Sequence, residues 1–470
     1  MADAALPFWV AQIPDPSKLP AAGLPTPLNG VNHTLVYRAG ATFGAYNHGP
    51  IITQHNGAFL LSWYNGEMDE SAANRVLFSV SNDSSAVTWS PPRVLFNTTA
   101  GWHKNSSNLT FPKGYNIGNE NEPWLVGASG ALYGVASSWD VFQRRGHGAE
   151  HVGPDAAVVR KVRLGAGSAS GDISAAKLGE VFWLADAVPA GFEAYCNVTY
   201  RDAKIIGSEA TDDLTRLRAR LISTVPSVDA GEPNERSVYS LPRRSSKGES
   251  GTSKGGGEAI DLVLLMRSGN DTLPRMWAST RRCEARAQRT DASKEGTNEG
   301  TSEATTNVGT TIEDALPTAA ATVHRDSTSG ELGAQCRPGT GVYNFALLPE
   351  VAGGWSGCTA WTRPKPTNIP DSHSRTCAAA LADGRRWLVG AQLPKSGDRT
   401  PLTLALSRDG LSWDRVWNLR GSDTLPPIRY HGYPGFQYPS GMPTADGRLL
   451  VAYSVNKEDI AVTSVHVKDL

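Results

Sequence analysis

The side chains best suited to chemistry are few and far apart in this chain. They are Asn47-His48, Asp69-Glu70, Glu120-Asn121-Glu122, Arg267, Ser374-Arg375 and Gln437-Tyr438. An imidazole set between Asn47 and Gly49-Pro50 suits proton transfer near neutral pH. The planar guanidinium of Arg375 suits a carboxylate, which it can hold with two parallel N–H donors. Arg267 carries the same fork, nearer the end of its strand. Every member also has a plainer structural account. His48 can bond within its own sheet, Arg375 can serve a salt bridge, and Tyr438 can pack beside Tyr433 and Phe436. The carboxylates can be solvated loop residues. Chemistry requires that the chain bring these residues to one place.

Other chemistries have little support. The five cysteines, Cys196, Cys283, Cys336, Cys358 and Cys377, form no C-x-x-C pair. No zinc or redox site is expected, and no metal or organic cofactor is implied. Cys336 and Cys358 could bridge, but buried or surface thiols are the simpler reading. With 45 Lys+Arg against 46 Asp+Glu, the net charge is −1 and the pI about 6.8. That balance lacks the basic excess of a nucleic-acid binder. No run approaches the ~18 apolar residues of a membrane-spanning helix. Met1–Pro20 has no basic region followed by an apolar run, so no secretory signal is visible. Seven Asn-x-Ser/Thr sequons, at Asn32, Asn82, Asn97, Asn105, Asn108, Asn197 and Asn270, point weakly the other way. The compartment is left open, and the sequence says nothing of oligomeric state.

The elements that must position these residues read as short strands. Of 470 residues, 48 are Gly, 30 Pro and 13 Trp, which favours strands and tight turns over helical bundles. Residues 228–257 and 284–340 are rich in Ser, Thr, Gly and charge, and poor in large apolar side chains. Such stretches cannot bury enough surface to offset chain entropy, so both read as disordered insertions in surface loops. The remainder repeats one theme. Ile51-Ile52-Thr53, then Asn56-Gly57, then Phe59-Leu60-Leu61-Ser62-Trp63 is a hairpin signal. Similar units recur about 45–97, 118–186, 190–225, 258–366, 373–420 and 433–468, the third poorly patterned. The last lacks a fourth strand, which His33–Tyr37 could supply. Asp212-Asp213 before Leu214, Leu217 and Leu221 predicts one short helix. Four-stranded units of ~40–50 residues stacked about an axis form a β-propeller. The expectation is a single all-β domain over 1–470, six-bladed with seven allowed. The innermost strand of each blade would open on the axis, where these polar residues would converge.

Two turns carry a signature. Ser407-Arg408-Asp409-Gly410-Leu411-Ser412-Trp413 resembles an Asp-box, and Ser81 to Trp89 resembles a longer one lacking its Gly. A third lies broken between Ala278-Ser279 and Trp361. These features resemble the sialidase (neuraminidase) superfamily of Asp-box, or BNR-repeat, propellers. The resemblance implies a carbohydrate-active protein with an oligosaccharide or polysaccharide partner. It implies a hydrolase of a terminal, acidic sugar in which Tyr438 is the nucleophile, Glu122 polarises it and Asp69 is the acid/base. Arg375 and Arg267 would clamp the substrate, with Glu120 and Gln437 beside them. One departure stands out. The first-blade arginine of sialidases is replaced here by His48. Related propellers that cleave rhamnose–glucuronic acid linkages use an axial His, so a His48-dependent lyase or rhamnosidase is a second expectation. A propeller that only binds glycans or proteins is a third.

Overall fold

The computed structural model describes residues 7–11, 25–40, 42–67, 75–97, most of 101–183, 203–205, 213, 236–241, 258–266 and 275–285, and 355–470 with short breaks. These residues are all-β apart from turns, two short 3-10 segments and the helical Asp213. Among them no helix is long and apolar enough to cross a membrane.

Five sheets of four or more strands carry most of the described chain, beside two two-stranded ones, Gly101–Lys104 with Thr110–Lys113 and Val141–Gln143 with Ala149–His151. Tyr46–His55, Ala58–Gly66, Arg75–Ser81 and Arg93–Phe96 form one antiparallel sheet in sequence order. Its hairpin turns at Asn56 (φ 50°) and Gly57 (φ 84°), the left-handed pair that a two-residue turn demands. A second sheet is built on Leu132–Trp139, Ala156–Arg163 and Lys177–Trp183. Arg236–Ser240, Glu258–Met266 and Arg275–Ala285 lead the third. Cys377–Ala380, Arg386–Gly390, Leu402–Ser407 and Ser412–Arg420 form the fourth. The last contains Phe436–Pro443, Arg448–Val455 and Asp459–His466, and its fourth strand is Asn32–Tyr37, paired antiparallel with Asp459–His466. The chain's early residues thus complete its final sheet, as the pattern suggested.

The cores lie between sheets. Leu60, Val76 and Phe78 of the first sheet pack on Leu132, Ala136 and Val162 of the second. On its other face, Phe59, Leu61 and Trp63 pack on Leu450, Ala452 and Val462 of the last sheet. The last sheet packs in turn on Trp387, Leu404 and Leu406 of the fourth, and the fourth on Val263, Leu265 and Met276 of the third. In Ala58–Gly66, Leu402–Ser407 and Arg448–Val455 apolar residues alternate onto two faces, so these strands are buried on both sides. The five sheets follow one another face to face, with the earliest and latest as neighbours. The inner strands Arg236–Ser240, Cys377–Ala380, Phe436–Pro443 and Tyr46–His55 lie side by side along one edge of this stack. The 190–225 unit falls almost wholly outside the described residues.

Both Asp-boxes fold as their sequences require. Asp409 accepts the amide N–H of Leu411 (2.8 Å) and Ser412 (2.6 Å) and the Ser407 hydroxyl, while Trp413 is fully buried. Asp83 accepts the amides of Ser85, Val87 and Thr88. The third, broken box lies partly outside the described residues, as do Cys336 and Cys358; Cys377 is a free thiol.

Two expectations need correction. Arg236–Ser240, assigned to the insertion 228–257, is an inner strand paired in register with Leu262–Met266. Its apolar content is only Val238 and Tyr239, too little to stand out from a polar stretch. The start of the second insertion, Glu284-Ala285, likewise ends a strand. A further element went unread. Phe8–Trp9 adds in parallel to Ser412–Trp413, and Asn368 bonds both the N–H and the C=O of Trp9. Two residues are too short a strand to show any period. Of the predicted helix, Asp213 is helical and buried. It accepts bonds from the Ser129 amide (2.8 Å) and the Tyr133 hydroxyl (3.1 Å), tying that segment to the second sheet.

Candidate functional site

His48 and Tyr438 meet where the first and last inner strands adjoin. Each stands at a break in its ladder. Pairing shifts between His48 and Ile51, with Gly49 at φ 57°, and again between Gln437 and Ser440. Bulges re-aim side chains in this way. Tyr438 itself adopts φ 52°, a conformation costing an aromatic residue about 1–3 kcal/mol. The result is ring against ring, with centroids 3.9 Å apart and planes inclined by 40°. Both residues are buried, His48 at 1% and Tyr438 at 6% exposure.

The anchoring of this pair is polar. Asn47 donates its amide to Lys457 O (2.8 Å) and its side-chain amide to Glu458 O (2.7 Å). Its Oδ1 accepts from Trp63 Nε1 and Asn65 Nδ2, both at 2.9 Å. One asparagine therefore joins the first sheet to the turn of the last. His48 Nδ1 lies 2.8 Å from Ser454 Oγ, and Ser454 Oγ donates to Gln437 O at 3.2 Å.

Two cations complete a closed ring of side chains around this place. The Arg399 guanidinium lies over Tyr438 (5.4 Å) and Tyr433 (5.1 Å), and bonds Gln437 Oε1. The Lys457 ammonium lies over Tyr433 (5.9 Å) and Tyr46 (5.7 Å), and Tyr46 returns to His48 at 5.9 Å. Cation–aromatic contacts of this kind stabilise by about 0.5–2 kcal/mol each, more when shielded from water. The Lys457-Glu458-Asp459 turn, which reads in sequence as an ordinary charged turn, is buried. Glu458 accepts the amides of Arg429 and Tyr430, fixing the segment that leads to Tyr433 and Tyr438.

Arg375 precedes the neighbouring inner strand. Cys377, two residues on, bonds the Gly441 amide, so this strand lies against the one that carries Tyr438. The 397–399 loop links the two segments. Gly397 N donates to Ser372 O, Tyr433 Oη donates to Gly397 O, and Phe436 N donates to Arg399 O. Arg375 is 7% exposed, and its Nε and Nη1 have no hydrogen-bond partner among the described residues. Burial pushes the Cys377 thiol up, and Arg375 offsets part of that rise.

Of the residues predicted from sequence, His48, Gln437 and Tyr438 come together, with Arg375 at the adjoining strand. Asp69, Glu120, Glu122 and Arg267 lie outside the described residues. Arg399, Lys457, Tyr46 and Ser454 were not foreseen. Arg399 sits in a loop without a repeat signature, and Lys457 occupies a turn position that composition marks as solvent-facing.

Comparison with known proteins agrees with this architecture. Residues 355–451 match the BNR repeat-like domain. No curated protein matches the chain. Among solved structures, a protein titled "Sialidase" is similar at TM-score 0.58 and 15% identity, over 98% of this chain and 35% of that one. The chain thus spans about a third of that sialidase's length. Trypanosoma rangeli sialidase aligns with TM-score 0.41 and 12% identity, over 94% of this chain and 60% of that one. The K499G mutant of NanB sialidase from Streptococcus pneumoniae aligns with TM-score 0.42 and 10% identity, over 93% and 71%. Residues 355–451 are thus similar to a BNR repeat, and the chain as a whole shares the fold of the first of these sialidases.

Proposed function

We propose that this chain is a six-bladed propeller that cleaves a glycosidic bond in an acidic glycan, with His48 and Tyr438 as the reacting pair and Arg375 as the carboxylate partner. The observation that carries this reading is the contact of His48 with Tyr438 at the inner-strand edge. An imidazole against a phenol, with a buried guanidinium that has unused donors just before the adjoining strand, suits elimination from a uronate. His48 would remove the C5 proton, the electrons would form the C4–C5 double bond, and the C4–O bond would break. Tyr438 would give its proton to the leaving oxygen. Arg375 would neutralise the carboxylate that acidifies C5.

A second reading, hydrolysis with Tyr438 as nucleophile, draws support from the likeness to a sialidase fold and from the strained backbone at Tyr438. It calls on Glu122 to polarise Tyr438 and Asp69 as acid/base, with Arg267 and Glu120 around the sugar. The products separate the two. Incubation with rhamnose–glucuronate-containing and sialylated oligosaccharides, followed by ultraviolet absorbance and mass spectrometry, reports which occurs. Elimination yields an unsaturated product with no water added, and hydrolysis a reducing sugar that has gained water. Retention of the glycan without either product would leave a binding propeller and end both readings.

A further inference from the structure

The strand behind the reacting pair supplies a residue that neither composition nor repeat pattern marks. Ser454 is fully buried in Arg448–Val455 and pairs in register with Gln437. Its hydroxyl touches two groups, His48 Nδ1 at 2.8 Å and the Gln437 carbonyl at 3.2 Å.

We propose that Ser454 is a positioning residue that holds the His48 proton on Nδ1 and so makes Nε2 the basic nitrogen. A serine hydroxyl has one proton to donate and two lone pairs. A backbone carbonyl oxygen only accepts, so the Ser454 proton is directed to Gln437. Toward His48 the hydroxyl then presents a lone pair, and Nδ1 must be the donor. A neutral imidazole protonated at Nδ1 has its lone pair on Nε2. The carbonyl that sets this direction belongs to Gln437, at the edge of the bulge that turns Tyr438 toward His48. One backbone irregularity therefore fixes both the orientation of the phenol and the tautomer of the imidazole. The inference rests on the reading of His48 as base for its consequence, though not for its test.

The test is nitrogen-15 NMR of the full chain with labelled histidine. The protein has ten histidines, so the His48 signals are assigned by their loss in His48→Gln. The wild type is expected to show a protonated Nδ1 and a lone-pair Nε2. Ser454→Ala is expected to give a mixed or reversed tautomer, and Ser454→Thr, which keeps the hydroxyl, to restore it. A wild-type proton on Nε2, or an unchanged tautomer in Ser454→Ala, overturns the proposal. Should Ser454→Ala not fold, the wild-type and Ser454→Thr spectra decide alone. With an active substrate, Ser454→Ala should lose about tenfold or more in kcat, less than the roughly 100-fold or greater loss from removing the base, with KM little changed. The predicted spectra without any glycan cleavage would keep the tautomer and discard the catalytic reading. Cleavage with the wrong tautomer would do the reverse.

Discussion

The imidazole of His48 and the phenol ring of Tyr438 lie 3.9 Å apart between centroids, although one opens the first sheet and the other the last. Two ladder breaks, at His48/Ile51 and at Gln437/Ser440, turn them toward each other. Under elimination the two act in one step, so their losses should not add. His48→Gln and Tyr438→Phe are each expected to lower kcat by about 100-fold or more, and the double variant to lower it little further. Thermal melts should separate catalysis from folding, because Tyr438→Phe keeps the ring and its packing. Full turnover by both single variants would refute the pairing.

Arg375 gives a prediction in which stability and function move in opposite directions. A buried guanidinium whose Nε and Nη1 lack partners among the described residues is a cost to the resting protein. Arg375→Met should therefore leave the melting temperature unchanged or raised. The same variant should weaken binding of an acidic oligosaccharide, measured calorimetrically, and scarcely affect its methyl ester. Arg375→Lys should rescue only in part, since an ammonium cannot form the two-pronged bond. A large fall in melting temperature for Arg375→Met would mark the residue as structural instead.

The repeat was legible because its physics is local. Asn56-Gly57 fixes a turn, Asp409 gathers amides within four residues, and apolar strands alternate onto two buried faces. Even the long-range pairing of Asn32–Tyr37 with the last sheet could be read, because a four-stranded unit was one strand short. The site was legible only in part. His48, Gln437 and Tyr438 were found because they stand at strand openings. Arg399 and Lys457 were missed because their place depends on a loop and a turn folding back on Tyr433, which no spacing records. Phe8–Trp9 and Arg236–Ser240 were missed because a strand so short or so polar takes its identity from its partner.

The Asp-boxes predict an acid-labile contribution to stability. The Ser85 hydroxyl and amide, with the Val87 and Thr88 amides, hold Asp83 at about 2, well below its ordinary 3.8. At Asp409 burial pulls upward, but the Ser412 and Leu411 amides and the Ser407 and Ser412 hydroxyls outweigh it, so that carboxyl is also lowered. A carboxylate lowered on folding stabilises fully above its unfolded pKa, and that share is lost as pH falls toward the folded value. Denaturant melts of wild type and Asp83→Ala should therefore differ most at pH 5 and above, and converge between about pH 4 and pH 2. A gap that stays constant across that range would show that the charge is not the source.

Two glycine substitutions should separate strain from collision. At Gly57 a Cβ would meet nothing within 4 Å, but φ is 84°. Gly57→Ala should cost about 1–2 kcal/mol of backbone strain and leave the site untouched. At Gly432 a Cβ would fall 2.1 Å from the Asn456 carbonyl oxygen and 2.9 Å from Glu458 Cγ. That carbonyl also accepts the Tyr433 amide at 3.0 Å, so it cannot retreat without moving the segment that carries Tyr433 into Tyr438. Gly432→Ala should destabilise by roughly 1–3 kcal/mol, as overpacking does. It should also displace Tyr433 from Arg399 and Lys457, and so reduce binding of an acidic glycan where Gly57→Ala does not. Equal binding by the two variants, measured on folded protein, would disconnect this aromatic–cationic ring from the ligand.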